Sequence, residues 1–227
     1  KGTYDRFARC THGALIRNDF EWMEYWRWEN EEERTAAVYY DAKDIPQGFL
    51  LYWVEEDVFH IREMVYLTQE ARKGLWNFIR AHYSMIDAVK GHIYTGEPLA
   101  FLLDESQIQE TIEPYFMARI VDVAQFLRLY PFEGSIRPFH FVVTDPMAEW
   151  NNGIFSVATD REGTVSVTDE PAGKAVELDI QTLSAMLMGY KRPSYLARIE
   201  RLHTDKRTLR LLEEIIPDGQ PYFSDYF

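Results

Sequence analysis

Apolar residues fall on alternate positions from Val58 to Leu67, with Phe59, Ile61, Glu63 and Val65 on one side. That period of two predicts a half-buried strand. The period then lengthens. Ala71, Leu75, Phe78, Ile79 and His82 recur three and four residues apart, which predicts a helix from Gln69 to about Met85 with Thr68 as its N-cap. Two strands precede this unit, Arg34 to Asp41 and Phe49 to Glu55, separated by a Pro/Gly turn over 44–48. Three strands joined by short turns make an antiparallel meander. A further strand is expected near the start, over Tyr4 to Thr11, and another over Ala88 to Thr95. Pro98 then begins a short helix through Leu103.

The second half reads differently. Tyr115 to Asp122 is strand-like, and Val123 to Leu129 is a helix stopped by Pro131. Phe139 to Thr144, Gly153 to Thr159, Thr164 to Thr168 and Lys174 to Asp179 read as strands with Asp, Asn and Gly turns between them. Asp145, Asp160 and Asp169 belong to that turn chemistry. Helices follow over Ile180 to Met188, closed by Gly189, and Pro193 to Leu202, with Pro at its first position. The last helix, Asp205 to Ile216, carries Leu209, Leu212 and Ile216 on one face. The fold class is therefore α+β. The polar stretch over 104–113 marks a boundary between two domains, 1–108 and 109–227.

Charge narrows the partners. The 24 basic residues face 37 acidic ones, a net charge of −13, which disfavours nucleic acid and anionic membrane. It suits a cationic partner such as a polyamine, a lysine or an aminosugar, and it suits solubility alone equally well. No apolar run is long enough to span a bilayer. The lone Cys10 excludes an intramolecular disulfide and fits a reducing cytoplasm. The chain opens at Lys1 rather than Met, which leads us to expect polypeptide upstream.

The tail Pro221-Tyr222-Phe223-Ser224-Asp225-Tyr226-Phe227 is the most distinctive segment. Rings left in water forfeit burial energy, so the tail should dock. Docking carries an unpaired carboxylate out of water, at a cost, unless a cation meets it. The bland alternative is that the tail plugs an apolar groove. Trp22 and Trp26, at i and i+4, either form a core-facing helix stripe or, with Glu24, line a pocket for a cation. Arg62 and Glu63 point to opposite faces of their strand, and one of them is expected inside, in an ion pair. Cys10 and His12 share a strand face in this reading but have no orienting partner for nucleophilic chemistry. The six histidines show no metal-ligand spacing.

The meander followed by strand Val58–Leu67 and its helix resembles a GNAT acetyltransferase core. Several segments, taken in order, resemble the Eis (enhanced intracellular survival) family of GNAT acetyltransferases. They are His12-Gly13-Ala14-Leu15-Ile16-Arg17, Phe59-His60-Ile61-Arg62-Glu63-Met64, Pro114 to Val123, Met188-Gly189-Tyr190 and the tail. The resemblance implies a GNAT-like mixed sheet with helices, followed by a sterol-carrier-protein-like α/β sandwich. It implies that acetyl-CoA is bound by a preceding GNAT domain that is missing here, and that the assembly is a hexamer. It maps the role of general base onto the α-carboxylate of Phe227, and places the general acid, a Tyr, in the missing domain. It also implies a substrate contact from the tail at Tyr226, which stands where the family has an acidic residue, with Asp225 the nearest carboxylate; Trp22 and Glu24 are the pocket candidates of the aromatic run itself.

The junction Leu67-Thr68-Gln69-Glu70-Ala71-Arg72-Lys73-Gly74 lacks the glycine-rich pattern that lets backbone N–H groups hold a pyrophosphate, and Glu70 puts negative charge there. The expectation is a GNAT-like domain without its cofactor site, inactive on its own. Two other functions fit the same residues: a module for a hydrophobic, lipid-like ligand, and a non-catalytic assembly scaffold.

Overall fold

The computed structural model describes residues 1–31, 34–93, 99–103, 107–113, 115–134, 136–159 and 164–225, with backbone only at 28–31. The chain divides into two compact units, Lys1–Ser106 with Pro221–Phe227, and Gln107–Gln220. The tail therefore groups with the first unit rather than with the domain over 109–227 to which its place in the chain had assigned it.

The first unit opens with two helices, α1 (Gly2–Arg9) and α2 (Asp19–Glu31). The strand expected over Tyr4 to Thr11 is thus a helix. Tyr4 and Ala8 are buried four residues apart with Phe7 beside them, a helical stripe rather than an alternation. Cys10 and His12 consequently lie beyond a helix end, and share no strand face. Next come β1 (Thr35–Tyr40), β2 (Pro46–Glu55), β3 (Val58–Tyr66), α3 (Gln69–Arg80), β4 (Ala88–Gly91) and α4 (Leu99–Leu102). The sheet order is β1-β2-β3-β4, with β1, β2 and β3 antiparallel and β4 parallel to β3. Thr68 caps α3, its hydroxyl accepting from the Ala71 N–H at 3.1 Å. The helix stops at Arg80, short of Met85, in a turn where a His82 ring nitrogen lies 2.9 Å from the Phe78 carbonyl.

One irregularity in this sheet decides which way Glu63 points. Leu51 pairs with Glu63, but its neighbour Tyr52 pairs with Ile61, so Arg62 is an extra residue in β3. Such a bulge reverses the in/out alternation across it. Phe59 and Ile61 pack with Leu50, Leu75 and Ile79 under α3. Glu63 and Val65 turn to the opposite face, where Val65 packs with Tyr4, Trp22, Tyr25 and Leu51. The single face expected for Phe59, Ile61, Glu63 and Val65 is therefore split in two.

The second unit contains α5 (Val123–Leu129), β5 (Phe139–Thr144), β6 (Gly153–Thr159), β7 (Val165–Thr168), β8 (Lys174–Asp179), α6 (Ile180–Leu187), α7 (Pro193–Arg198), β9 (Leu202–His203) and α8 (Lys206–Ile215). Its sheet order is β7-β6-β5-β8-β9, with β5 and β8 parallel at the centre. Phe139, Phe141, Val157, Val176 and Leu178 bury against Val123, Leu127, Leu183, Met186, Leu187 and Leu212. Asp122, Asp179 and Asp205 cap α5, α6 and α8.

The strand expected over Tyr115 to Asp122 does not form, because side chains take its backbone groups. The Ile120 N–H donates to the Ser184 hydroxyl, and the Val121 carbonyl accepts from Trp150 and Asn151. The Val123 N–H donates to the Asn151 side-chain oxygen. Asn151 itself is held by Asp145, which also accepts both 2.6 Å bonds from Arg119 and the N–H groups of Met147 and Ala148. Burial pushes the Asp145 carboxyl up, but these donors outweigh it and hold the group well below the usual carboxylate range.

Candidate functional site

The tail docks on the first unit through a buried polar cluster on the Glu63 face of the sheet. Arg17, in the loop after α1, is 4% exposed, and three rings enclose its guanidinium. Its central carbon lies 3.8 Å from the Tyr4 ring centre, 4.1 Å from Tyr25 and 4.8 Å from Trp22. Two carboxylates flank it. Nε donates to Asp225 at 2.6 Å, and Nη2 donates to Glu63 at 3.2 Å and to the Ser224 hydroxyl at 3.3 Å. Glu63 accepts further bonds from Tyr25 at 2.8 Å, Tyr222 at 2.9 Å and Ser224 at 2.6 Å. The Tyr4 hydroxyl lies between Asp225, at 3.4 Å, and the Leu15 carbonyl, at 3.0 Å.

Backbone contacts extend the dock upstream. The Tyr222 N–H donates to the His12 carbonyl at 2.9 Å, and the Tyr222 ring meets Phe7 edge-on at 5.0 Å. Gly13 has φ of +75°, and a Cβ there would sit 3.4 Å from Pro221. Glycine lets this loop turn sharply with the tail passing beside it.

Electrostatics inside the cluster follow from burial and pairing. Burial pushes Glu63 up, but Arg17 and the hydroxyls of Ser224 and Tyr25 outweigh that and hold it below its ordinary value. Burial disfavours the charge on Arg17, yet Glu63 and Asp225 more than compensate and raise its pKa. Burial raises Tyr4 well above the usual phenol range, and Asp225 and Glu63 add to the effect against Arg17.

A pH dependence follows from these directions. A carboxylate with a depressed folded pKa contributes stability that is present above its unfolded value, about 4.3 for Glu, and is lost as pH falls through the folded pKa. The raised Tyr4 pKa contributes stability present below the unfolded value of about 10 and lost above it. We expect urea midpoints of the first unit to be flat from about pH 6 to 9 and to fall at both extremes. A midpoint that falls steadily between those two values would contradict the ionised cluster.

Of the residues assigned to a substrate, the structure brings Trp22 and Asp225 together around Arg17 and leaves Glu24 apart from them. Trp22 is a core residue, 3% exposed, edge-on to Tyr4 and Tyr25 and stacked on Trp26. Glu24 stays near the surface of α2, paired with Arg27 at 2.9 Å. Asp225 is enclosed, with its carboxylate on Arg17. Tyr226 and Phe227 lie outside the described residues. Glu63 is the inward member of its pair with Arg62, as expected, and its partner is Arg17. Arg17 had carried no role of its own: it sits in a loop where no hydrophobic period points inward. The signal available was slight: a charge directly after the apolar run Ala14-Leu15-Ile16.

The β3–α3 junction has a different occupant from a phosphate. The Tyr39 hydroxyl donates to Glu70 at 2.9 Å. A Cβ on Gly74 would fall 2.3 Å from the Tyr39 ring, so this glycine makes room for an aromatic side chain.

Residues 13–120 match the acetyltransferase (GNAT) domain family, and residues 123–224 match the sterol carrier protein domain family. The chain is thus a GNAT-type domain followed by a sterol-carrier-type domain. Across 96% of its length it is 24% identical to N-acetyltransferase Eis of Mycobacterium tuberculosis, of which it covers 54%. A probable N-acyltransferase from Enterococcus faecalis superposes with a TM-score of 0.85 at 30% identity, covering 95% of this chain and 55% of that one. A GCN5-related N-acetyltransferase from Anabaena variabilis gives 0.83 at 27% identity, covering 100% and 59%. The chain is thus similar to Eis-like GNAT acetyltransferases, and it spans about half the length of the relatives it matches.

Proposed function

We propose that this chain is the C-terminal part of an acetyl-CoA-dependent N-acetyltransferase acting on cationic amines, in which the α-carboxylate of Phe227 serves as general base. One observation carries the reading: the tail is anchored by a buried ion pair at Asp225, two residues before that carboxylate. Attack on a thioester requires a neutral amine, so a base within about 3 Å, or one water away, must take the ammonium proton. A free α-carboxyl has a pKa of about 3.3–3.7 and becomes a better base when partly desolvated among rings. Its charge also draws the cation in.

Acetyl-CoA is assigned to a separate GNAT domain. The Thr68 cap, Glu70 and the Tyr39 ring against Gly74 support this, because they occupy the helix start where a pyrophosphate would need open N–H groups. The reading takes the enzyme as cytoplasmic and as a hexamer, with an aminoglycoside, polyamine or lysine as acceptor. Calorimetry tests the division of labour. This chain should show no acetyl-CoA binding in the low-micromolar range, while the full-length protein should bind it and release coenzyme A thiol when given such amines. A low-micromolar Kd for this chain, or a full-length protein inert toward every amine, overturns the proposal.

A further inference from the structure

We propose that Arg17 is the positioning residue of the C-terminal tail: it grips Asp225 and thereby determines where the last two residues are delivered. This rests on the carboxylate reading above and adds to it the group that aims the carboxylate. The enclosure of Arg17 is what makes it suitable. Its guanidinium is walled by Tyr4, Trp22 and Tyr25, so it cannot follow a moving partner. Glu63 holds it from the sheet, at a strand position oriented by the bulge, while Asp225 reaches it from the tail. The fork is thus fixed on one side and receptive on the other.

The tail's remaining contacts are arranged around that grip. Ser224 bridges Arg17 and Glu63, and Tyr222 reaches Glu63 from the other end of the docked stretch. Every polar side chain from Tyr222 to Asp225 is engaged with this Arg–Glu pair. The grip places the anchor two residues from the terminus, and two residues span at most about 7 Å. A tail held this close to its end delivers its terminal group to a small volume. Released, it sweeps a large one.

The test uses the full-length protein with acetyl-CoA and an acceptor amine. Arg17→Met removes the fork. Asp225→Asn keeps the Arg17–Glu63 pair and so guards against a variant that does not fold. Hydrogen exchange at the amides of 222–225 should accelerate roughly 10- to 100-fold in both, the loss of a charge-assisted bond, with the second unit unchanged. The kcat should fall by roughly 100-fold, as for a reacting group displaced by an ångström, while the KM for acetyl-CoA stays put. Arg17→Lys should recover part of the protection and of kcat, since it keeps the charge and loses the fork. Unchanged exchange over 222–225 in the folded variants overturns the proposal whatever the activity. Faster exchange with unchanged kcat, in a protein that loses kcat on deletion of Phe227, also overturns it and leaves the carboxylate reading standing. A kcat indifferent to that deletion is the failure of the carboxylate reading, which the exchange data identify separately.

Discussion

If the terminal carboxylate is the base proposed above, the full-length protein lengthened by one glycine past Phe227 should turn over roughly 10²–10⁴-fold more slowly, the contribution expected of a positioned general base. The reason is geometric. The anchor at Asp225 fixes the tail upstream, so an added residue moves the carboxylate outward by about 3.5 Å. That exceeds the whole hydrogen-bond window for proton transfer, about 2.6–3.2 Å. Deleting Phe227 withdraws the carboxylate by a similar step. Amidating the terminus leaves the shape in place and removes the charge, so it separates basicity from packing. All three changes lie beyond the anchored stretch, and the urea midpoint of the first unit should hold constant in each. Steady-state kinetics against a polyamine, with acetyl-CoA saturating, provides the measurement. An extended enzyme with its kcat/KM intact would remove Phe227 from the mechanism and leave the docked tail as a packing element.

How much of this was legible in the chain depends on what each residue reports. The meander, the helix capped by Thr68 and most strands and helices of the second half follow from periodicity and local turn residues; β9 does not, because Leu202 reads as the end of the helix that begins at Pro193. That the tail docks followed from its rings. Its partners did not, because they come from three places distant in sequence: helix α1 at Tyr4 and Phe7, a loop at Arg17 and a strand at Glu63. Alternation along β3 would have put Glu63 beside Ile61, and only the extra residue at Arg62 turns it to the tail. A bulge leaves no mark on a period-two pattern read from one strand, since it is a property of the pairing. The errors at Tyr4–Thr11 and Tyr115–Asp122 have a common origin. Short segments with mixed polarity read as strands until tertiary contacts decide, the first by burying Tyr4 and Ala8, the second by giving the backbone to Asn151 and Ser184.

Glu63 is the group on which tail and sheet both depend, and Glu63→Ala should lower the stability of the first unit by about 3–5 kcal/mol, the cost of breaking a buried ion pair from one side. Four donors lose their acceptor at once: Arg17, Tyr25, Tyr222 and Ser224. Arg17 keeps Asp225, so the cation is not stranded, but the hydroxyls of Tyr25 and Tyr222 are left inside without their acceptor. Glu63→Gln should cost less, because the amide oxygen still accepts from a hydroxyl while the amide nitrogen meets Arg17 unfavourably. The ordering wild type, Gln, Ala is therefore as diagnostic as the size. Urea unfolding followed by tryptophan fluorescence reads it directly, since Trp22 packs beside the cluster. The Ala variant should also loosen the tail, which loses the Tyr222 and Ser224 bonds to Glu63 while Asp225 stays on Arg17, so acetyl transfer by the full-length protein should fall at temperatures where the unit is still folded. A Glu63→Ala protein within about 1 kcal/mol of wild type, the worth of an ordinary neutral hydrogen bond, would mean that the cluster is solvated and that the tail is held by its rings alone.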